Sequence, residues 1–399
     1  MKIVRVTGAY GLEDSTGPSR QQYLLDQALA RRGHEIVVYT LSTRRVPEVQ
    51  RVGNVVIKKY PSLVRFGMLR LPRGMFSDLR KEECEIIHAH GYRNPLTDLA
   101  ALISLLEKKP LVITPHGSVS AFKFDLISPT DKAVRYLYDA MTLKFSLRVV
   151  RKIVATSTME QEEILSFGIP CKKVVLIPHG ILTSPLPTGT GPRSTPSSRC
   201  RLFMASRISS IRNIEFLIQV FRKVKDEIPC AELYISGSDK PHSQIFYDAG
   251  YKNKVLRMCE TLKLRDSVHF TGELRGEELY DQYRLADIFV WTSRYDNFGQ
   301  PLVEAASFGL PIVSTKVGIA PFLVGANEGG FLVEHDDVSG MARCIVKLLR
   351  DHSLYRKASE HVSKMASRFT VERMTSDYEN LYMEVARAHG KSDIIKGSS

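Results

Sequence analysis

Two acidic residues on either side of a tight turn form the most informative arrangement in this sequence. Asp296 and Glu304 lie eight positions apart in RYDNFGQPLVEAASFGLPIV, with Gly299 and Pro301 between them. Pro301 suits the first position of a helix, because its missing N–H would have no helical partner there. A helix start presents N–H groups and the positive end of the helix dipole, which favour a diphosphate. The spacing therefore predicts a phosphorylated, elongated ligand, with Glu304 in the first helical turn and Asp296 in the loop.

Further candidate residues follow other predicted strands. SRISSIRN supplies Arg207 and Arg212, TPHG supplies His116, and CEIIHAH contains His88 and His90. Ligands of open α/β sheets bind at the carboxyl ends of the strands, so these side chains are candidates for a binding site. We interpret His88 as structural and His90 as a cleft candidate.

The elements around these residues alternate between strands and helices, which predicts parallel sheets covered on both faces. The pattern predicts an N-terminal Rossmann-like domain over 1–182, a Pro/Ser/Thr/Gly-rich linker over 183–199 and a second Rossmann-like domain over 200–370. PIVST is predicted as the last strand. A final helix and tail at 371–399 are predicted to pack back toward the first domain. The fold class is therefore α/β, with two Rossmann-like domains facing each other across a cleft.

Composition narrows the class of protein and its partners. The chain has 399 residues, 43% of them hydrophobic, and a net charge of +13, which favours anionic partners. It has no apolar run long enough to span a membrane and no signal-peptide pattern, and its six cysteines are scattered. We expect a cytoplasmic protein with reduced thiols and no metal site, and no nucleic-acid module is recognised.

These motifs together resemble the retaining glycosyltransferases of family 4, which have the GT-B fold. The family's Glu-x7-Glu reads Asp296-x7-Glu304 here, and Arg207 and Arg212 stand at its Arg and Lys positions. The resemblance implies metal-independent transfer of a hexose from a UDP-, GDP- or ADP-sugar, with no cofactor. It implies catalytic roles for His116 and Asp296. It implies donor binding by Arg207, Arg212, Phe298, Gly299, Gln300, Leu302, Glu304, Gly272, Leu274 and Gly17.

The chain departs from the family pattern at several positions. Asp296 is one methylene shorter than Glu, a difference of about 1.5 Å that could alter the choice of sugar or weaken activity. Arg212 replaces Lys, His179 stands where Asn is usual, and Thr16-Gly17 replaces a Gly-Gly loop. One alternative is therefore a catalytically weak or inactive sugar- or nucleotide-binding protein. Another is a nucleotide-sugar epimerase; a dehydrogenase is disfavoured because no G-x-G-x-x-G follows a strand.

The acceptor is suggested by a basic and apolar segment in the first domain. PSLVRFGMLRLPRGMFSDLRK, residues 61–81, contains Arg65, Phe66, Arg70 and Arg73. Basic residues mixed with large apolar ones suit the surface of an anionic membrane. We expect a peripheral enzyme on the inner face of the cell membrane that acts on a lipid-linked glycan, glycolipid or polysaccharide, with His90 also on the acceptor side. Alternatively, the apolar residues pack on the sheet and the arginines are solvated. The sugar, the nucleotide and the oligomeric state stay open.

Overall fold

The computed structural model describes residues 1–11, 17–42, 44, 46–66, 69–72, 74–119, 129–142, 144–181, 191–239 and 250–396, with the main chain alone at 63–66, 69–71 and 390–396. The chain divides into two compact units, Met1–Gly180 with Val371–Ser399 and Ile181–Thr370. Arg73 and residues 183–190 of the predicted linker lie outside the described residues.

Strands of the first unit are β1 (Lys2–Val6), β2 (Glu35–Ser42), β3 (Glu48–Val52), β4 (Val55–Phe66), β5 (Leu69–Pro72), β6 (Ile86–His90), β7 (Leu111–Thr114), β8 (Lys152–Ala155) and β9 (Val174–Leu176). Strands of the second unit are β10 (Arg201–Ala205), β11 (Glu232–Ser236), β12 (Val268–Gly272), β13 (Ile288–Trp291), β14 (Ile312–Thr315) and β15 (Gly330–Val333).

Helices in the first half of the chain are α1 (Gly17–Arg31), α2 (Met75–Lys81), α3 (Pro95–Leu106), α4 (Pro129–Thr142), α5 (Phe145–Val149) and α6 (Thr158–Ser166). The remaining helices are α7 (Ile214–Glu227), α8 (Tyr251–Thr261), α9 (Glu277–Leu285), α10 (Gln300–Ser307), α11 (Ala320–Val324), α12 (Val338–Arg350), α13 (His352–Ala366) and α14 (Val371–Lys396). In the described part of the chain, no helix combines the length and the apolar character needed to span a bilayer.

The first unit is built on a mostly parallel sheet with strand order β3-β4-β2-β1-β6-β7-β8-β9. The hairpin partners β3 and β5 are both antiparallel to β4. Because side chains alternate along a strand, Arg5 shares a face of the sheet with Ile3, and His88 and His90 share that face with Ile86. The same face is covered by α1 and α14, whose apolar residues join Ile3 and Ile86 in one core cluster. Charged and polar side chains at the carboxyl ends of β1 and β6 are therefore enclosed by helices.

The second unit is a six-stranded parallel sheet with order β12-β11-β10-β13-β14-β15. This is the doubly wound order, in which the direction of winding reverses between the first and fourth strands, here β10 and β13. The prediction that PIVST is the last strand was wrong. This segment contains β14, and β15 follows it and pairs with it. Two Rossmann-like units confirm the predicted fold class.

Candidate active site

Arg212 lies at the point in the second unit where the sheet order reverses. It ends a short 3-10 turn after β10 and donates from Nη1 to Ser293 Oγ at 2.9 Å. The same Nη1 donates to the Asp296 carboxylate. Ser293 and Asp296 follow β13, which pairs with β10, so the loops after two neighbouring strands meet here. The side chains of Arg212 and Asp296 are only 13% and 11% exposed, so solvent screens this pair weakly.

Asp296 is held by a second donor. Trp291 Nε1 donates to Asp296 Oδ2 at 3.0 Å, and Arg212 donates to the same oxygen. The Arg212 guanidinium also lies 5.1 Å from the centre of the Trp291 ring. In the described part of the chain no group donates to Oδ1. The carboxylate is thus oriented by one oxygen and retains the other as an acceptor.

Arg207 is a largely enclosed cation next to this pair. Burial lowers the pKa of Arg207, and the positive charge of Arg212 lowers it further, while Asp296 acts in the opposite direction. Among the described residues, none forms a hydrogen bond or an ion pair with the Arg207 guanidinium. An enclosed cation whose nearest carboxylate is already paired with another cation favours an additional anion. The two arginines therefore define a site suited to phosphate.

Glu304 lies in the second turn of α10, because the helix begins at Gln300. The prediction that placed Glu304 in the first turn was wrong by about one residue, since it took Pro301 as the first helical position. Tyr283 Oη donates to Glu304 Oε2 at 3.1 Å, and Gln300 Nε2 donates to Oε1 at 2.9 Å. A carboxylate has about four acceptor positions, so Glu304 is oriented by these donors and can still accept from a ligand hydroxyl.

The turn before α10 depends on Gly299. Its φ of 85° is in the left-handed region, and a Cβ there would lie 2.9 Å from Leu302 Cδ1. Phe298 and Leu302, both predicted to bind the donor, have buried side chains in the core of the unit. The Leu302 N–H donates to the Gly299 carbonyl. These two residues therefore support the turn by packing beneath it, and their role in donor binding stays a prediction.

Gly272 and Leu274 lie at the end of β12. The Gly272 carbonyl accepts from the Gly237 N–H at 2.8 Å, which ties the loops after β11 and β12 together. Gly272 also has a positive φ of 79°. Leu274 is half-buried. The structure brings these residues to the carboxyl edge of the same sheet that carries Arg207 and Arg212.

His116 occupies a strained turn after β7 in the first unit. Its φ of 53° is left-handed, which is uncommon for a residue with a Cβ. The buried Glu160 carboxylate holds this turn, because it accepts from the Gly117 N–H at 2.5 Å and from the Thr156 N–H at 2.7 Å. Strain of this kind persists where the surroundings enforce it, often at functional sites.

The imidazole of His116 belongs to a column of histidines. His90 Nδ1 is 2.9 Å from His116 Nε2, and the rings of His116 and His179 are stacked with centroids 5.6 Å apart. Burial lowers the pKa of His116 and of His90 well below the ordinary value, and burial lowers the pKa of His179 to about 3. At neutral pH these imidazoles are therefore uncharged.

Sequence reasoning missed the residues that hold this column. Arg5 and Asp26 are both fully buried, and Arg5 Nε donates to the two carboxylate oxygens at 2.7 and 2.8 Å. Trp291 and Glu160 were missed as well. One signal was present, since Arg5 interrupts the apolar strand KIVRV and Asp26 interrupts an apolar helix face. A buried charge on one element requires a partner on another.

The remaining predicted residues are Gly17 and the acceptor-side residues Arg65, Phe66, Arg70 and Arg73. Gly17 is exposed and is the first residue of α1. Arg65 and Arg70 are register partners of the β4–β5 hairpin, and Phe66 pairs with Leu69. The side chains at those positions, and all of Arg73, lie outside the described residues. Met75, an apolar residue of the 61–81 segment, is fully buried in the core. Within the described ranges, no group of three or more His, Cys, Asp or Glu residues could hold a metal ion.

Comparison with known proteins defines the class. A family model for "Glycosyl transferases group 1" matches residues 194–365. A second model, for "Glycosyltransferase Family 4", matches residues 16–184. Sucrose-phosphate synthase from Thermosynechococcus elongatus superposes with a TM-score of 0.77 at 19% identity, covering 97% of this chain and 100% of that one. HepE of Anabaena, solved with UDP and glucose, superposes with a TM-score of 0.73 at 17% identity, covering 96% and 100%. The fold is that of the GT-B transferases.

Curated relatives fall in the same class but differ in substrate. The chain is 26% identical over 47% of its length to N-acetyl-alpha-D-glucosaminyl L-malate synthase of Bacillus anthracis, and this match spans 46% of that protein. It is 25% identical over 91% of its length to the gpi3 subunit of phosphatidylinositol N-acetylglucosaminyltransferase of Schizosaccharomyces pombe, spanning 77% of that protein. The chain belongs to the group 1 glycosyltransferases with the GT-B fold, which confirms the family indicated by its motifs.

Proposed function

We propose that this protein transfers a hexose from a nucleotide-diphosphate sugar, with retention of configuration and without a metal ion, to a lipid-linked glycan, glycolipid or polysaccharide. The observation that carries the proposal is Arg207, an enclosed cation with no described partner, next to Arg212 at the switch point of the second unit. Two guanidinium groups can stabilise a leaving diphosphate without a metal, because each offers several N–H donors in a fixed plane.

The donor would lie along the second unit, with each part of it met by a different group. The diphosphate would bind Arg207 and Arg212, and the ribose hydroxyls would donate to Glu304, which Tyr283 and Gln300 already orient. Asp296 would accept from the transferred sugar through Oδ1. The UDP and UDP-glucose complexes of HepE support a nucleotide sugar as the donor.

In this proposal His116 orients the transferred sugar, and Arg207 and Arg212 stabilise the negative charge that develops on the leaving diphosphate. The bond from the anomeric carbon to the diphosphate breaks with its electron pair leaving on the phosphate oxygen. The acceptor hydroxyl forms the new bond on the same face, and its proton passes to the departing diphosphate. The new and broken bonds then share one face of the sugar, so configuration is retained.

The transfer experiment uses the purified chain with UDP-, GDP- and ADP-sugars and a polyprenyl-phosphate-linked sugar acceptor. We expect a product from donors of one nucleotide class. By NMR its new linkage should have the anomeric configuration of the donor, and the rate of transfer should be unchanged in EDTA. Inverted product would overturn the retaining assignment, and loss of product in EDTA would overturn metal independence. Binding of nucleotide with neither transfer nor hydrolysis of the donor would instead support the non-catalytic alternative.

The acceptor proposal is supported by an apolar face on α4. Val134, Leu137 and Met141 follow helical spacing and are 63%, 59% and 76% exposed. The opposite side of the helix is anchored, because Arg93 Nη2 lies 2.7 Å from Asp139 Oδ2. With the net charge of +13, such a face favours an anionic lipid surface.

Flotation with liposomes tests the membrane proposal. Wild-type protein should float with vesicles that contain phosphatidylglycerol and less with neutral phosphatidylcholine vesicles. Leu137→Asp with Met141→Asp should abolish the difference. The matched control is Val49→Asp, because Val49 is 69% exposed on β3 of the same unit. Equal flotation of wild type and the double variant would exclude α4 as the contact.

A further inference from the structure

We propose that Arg5 is a positioning residue, which acts through His90 to fix the proton of His116 on Nδ1. His116 then presents an N–H donor to an oxygen of the substrate and cannot serve as a base. Only the identity of the substrate in this inference rests on the proposed function. The position of the proton on His116 is a property of the protein without ligand.

Arg5 begins the chain of hydrogen bonds because an arginine can only donate. Its Nη1 is 2.8 Å from His88 Nδ1 and 2.8 Å from His90 Nε2. Both of these ring nitrogens must therefore be acceptors. Asp26 holds the guanidinium in this orientation through its bonds to Nε. Burial alone would lower the pKa of Arg5, but the Asp26 carboxylate raises it above its usual value. Arg5 therefore stays protonated and acts only as a donor.

A neutral imidazole has one N–H, so a ring nitrogen that accepts a hydrogen bond leaves the proton on the other nitrogen. His90 accepts at Nε2, so its proton is on Nδ1, and Nδ1 lies 2.9 Å from His116 Nε2. His116 Nε2 must then accept, which leaves the proton of His116 on Nδ1. His88 follows the same rule in another direction, since its Nε2 lies 2.8 Å from Thr114 Oγ1. Burial, which lowers the pKa of all three histidines, keeps them neutral.

His116 Nδ1 is the open end of this chain. The atom is buried, and in the described part of the chain it has no hydrogen-bond partner. A buried N–H donor without a partner is unfavourable, so this atom favours a ligand oxygen beside it. A sugar hydroxyl or a phosphate oxygen would satisfy it. The only lone pair of the ring is already used by His90, so proton abstraction from the acceptor is assigned to another group.

The decisive experiment is NMR on the full chain labelled with 15N histidine. Long-range proton–nitrogen couplings identify which ring nitrogen carries the proton, without substrate. We expect His116 in the Nδ1–H form in wild type. In His90→Phe the ring volume stays but the donor to Nε2 is lost, so we expect His116 to populate both forms.

His88→Phe is the matched control. His88 lies two residues from His90 on the same strand face and accepts from the same guanidinium, but it leads to Thr114 and not to His116. Its loss should leave the His116 proton on Nδ1. The double variant Arg5→Met with Asp26→Leu removes a buried ion pair as a whole, which proteins often tolerate. In this double variant we expect His116 to populate both tautomers, as in His90→Phe.

Kinetics separates positioning from simple structural support. His90→Phe should lower kcat by about 10–100-fold, the loss seen when a metal-bound histidine loses the hydrogen-bond partner that orients it. Its affinity for nucleotide, measured by Trp291 fluorescence in the other unit, should not change. A wild-type His116 with its proton on Nε2 would overturn the proposal, as would unchanged kcat in His90→Phe. Absence of nucleotide binding would refute the proposed function alone, because the tautomer is measured without ligand.

Discussion

In both units the sheet order reverses beside the first strand, at β1 in one unit and at β10 in the other, and a cation lies next to each reversal. Arg5 is fully buried, and its guanidinium is engaged by Asp26, His88 and His90. Arg207 is partly enclosed and has no bonded partner in the described part of the chain. Arg5 therefore has all its hydrogen-bond partners within the protein and acts through neutral imidazoles, whereas Arg207 favours an anionic ligand.

This difference shows that one topology can prepare two kinds of site. What separates them is whether the strand itself or the loop after it carries the charge. Arg5 is within β1, where helices cover both faces and its partner must come from the protein. Arg207 follows β10, where the carboxyl end of the sheet is open to ligands. We expect variants at the first site to change stability and variants at the second to change binding.

The largest expected effect is on stability, from Asp26→Ala. Removal of one partner from a fully buried ion pair should lower the free energy of unfolding by about 3–5 kcal/mol, because Arg5 would be left buried without a counterion. Urea denaturation followed by far-UV circular dichroism measures this. The control is Asp226→Ala, since Asp226 pairs with Arg222 on an exposed helix surface. Such exposed pairs contribute at most about 1 kcal/mol. Equal losses in the two variants would remove the distinction between buried and exposed pairs.

The second effect is on ligand affinity, from Arg207→Ala. A charge-assisted hydrogen bond contributes about 1.5–3 kcal/mol, which corresponds to about a 10–100-fold loss of affinity for nucleotide diphosphate. Calorimetric titration measures it, and the free energy of unfolding should stay near that of wild type. Arg294→Ala is the control in the adjacent loop, because its side chain is exposed. An equal loss in Arg294→Ala would indicate a general effect of charge rather than a binding role for Arg207.

The sequence predicted the α/β alternation well because strands and helices have distinct periodicities. It placed His116, Arg207, Arg212 and Asp296 after strands, where the structure has them. It could not pair Arg5 with Asp26, because these residues are 21 positions apart on two different elements. Periodicity carries no information on tertiary partners. Phe298 was chosen by its place in a motif, and its burial follows from packing that only the folded unit shows.

A third, smaller effect concerns pH and His179. Its pKa is about 3 in the folded protein against an ordinary 6.5, so below pH 6.5 the unfolded chain binds a proton that the native state does not. Stability from this group is complete only well above pH 6.5, and about 1.4 kcal/mol of it is lost by pH 5.5. His179→Asn should therefore lose less stability than wild type between pH 7.5 and 5.5 in urea denaturation. An identical pH dependence would contradict this.

The smallest effect is expected from Gly299→Ala in the turn before α10. Its φ of 85° is unfavourable for alanine, and the new Cβ would displace the Leu302 side chain. We expect a loss of about 1 kcal/mol in the free energy of unfolding. Gly8→Ala is the control, because nothing lies within 4 Å of a Cβ there and its φ is not in the left-handed region. Thermal unfolding with both variants measures the difference. A larger loss in Gly8→Ala would place the strain elsewhere.

The central claim is that the second unit binds a nucleotide diphosphate at its switch point, and the single tryptophan of the chain offers a direct test. Trp291 donates to Asp296 Oδ2, so a ligand that engages Arg212 and Asp296 should change its fluorescence. The measurement is a titration of wild type and Glu304→Ala with UDP, GDP, ADP and their sugar conjugates. We predict a saturable change with one nucleotide class and at least tenfold weaker binding in Glu304→Ala. No change with any of these ligands, together with no shift in thermal unfolding, would contradict the account.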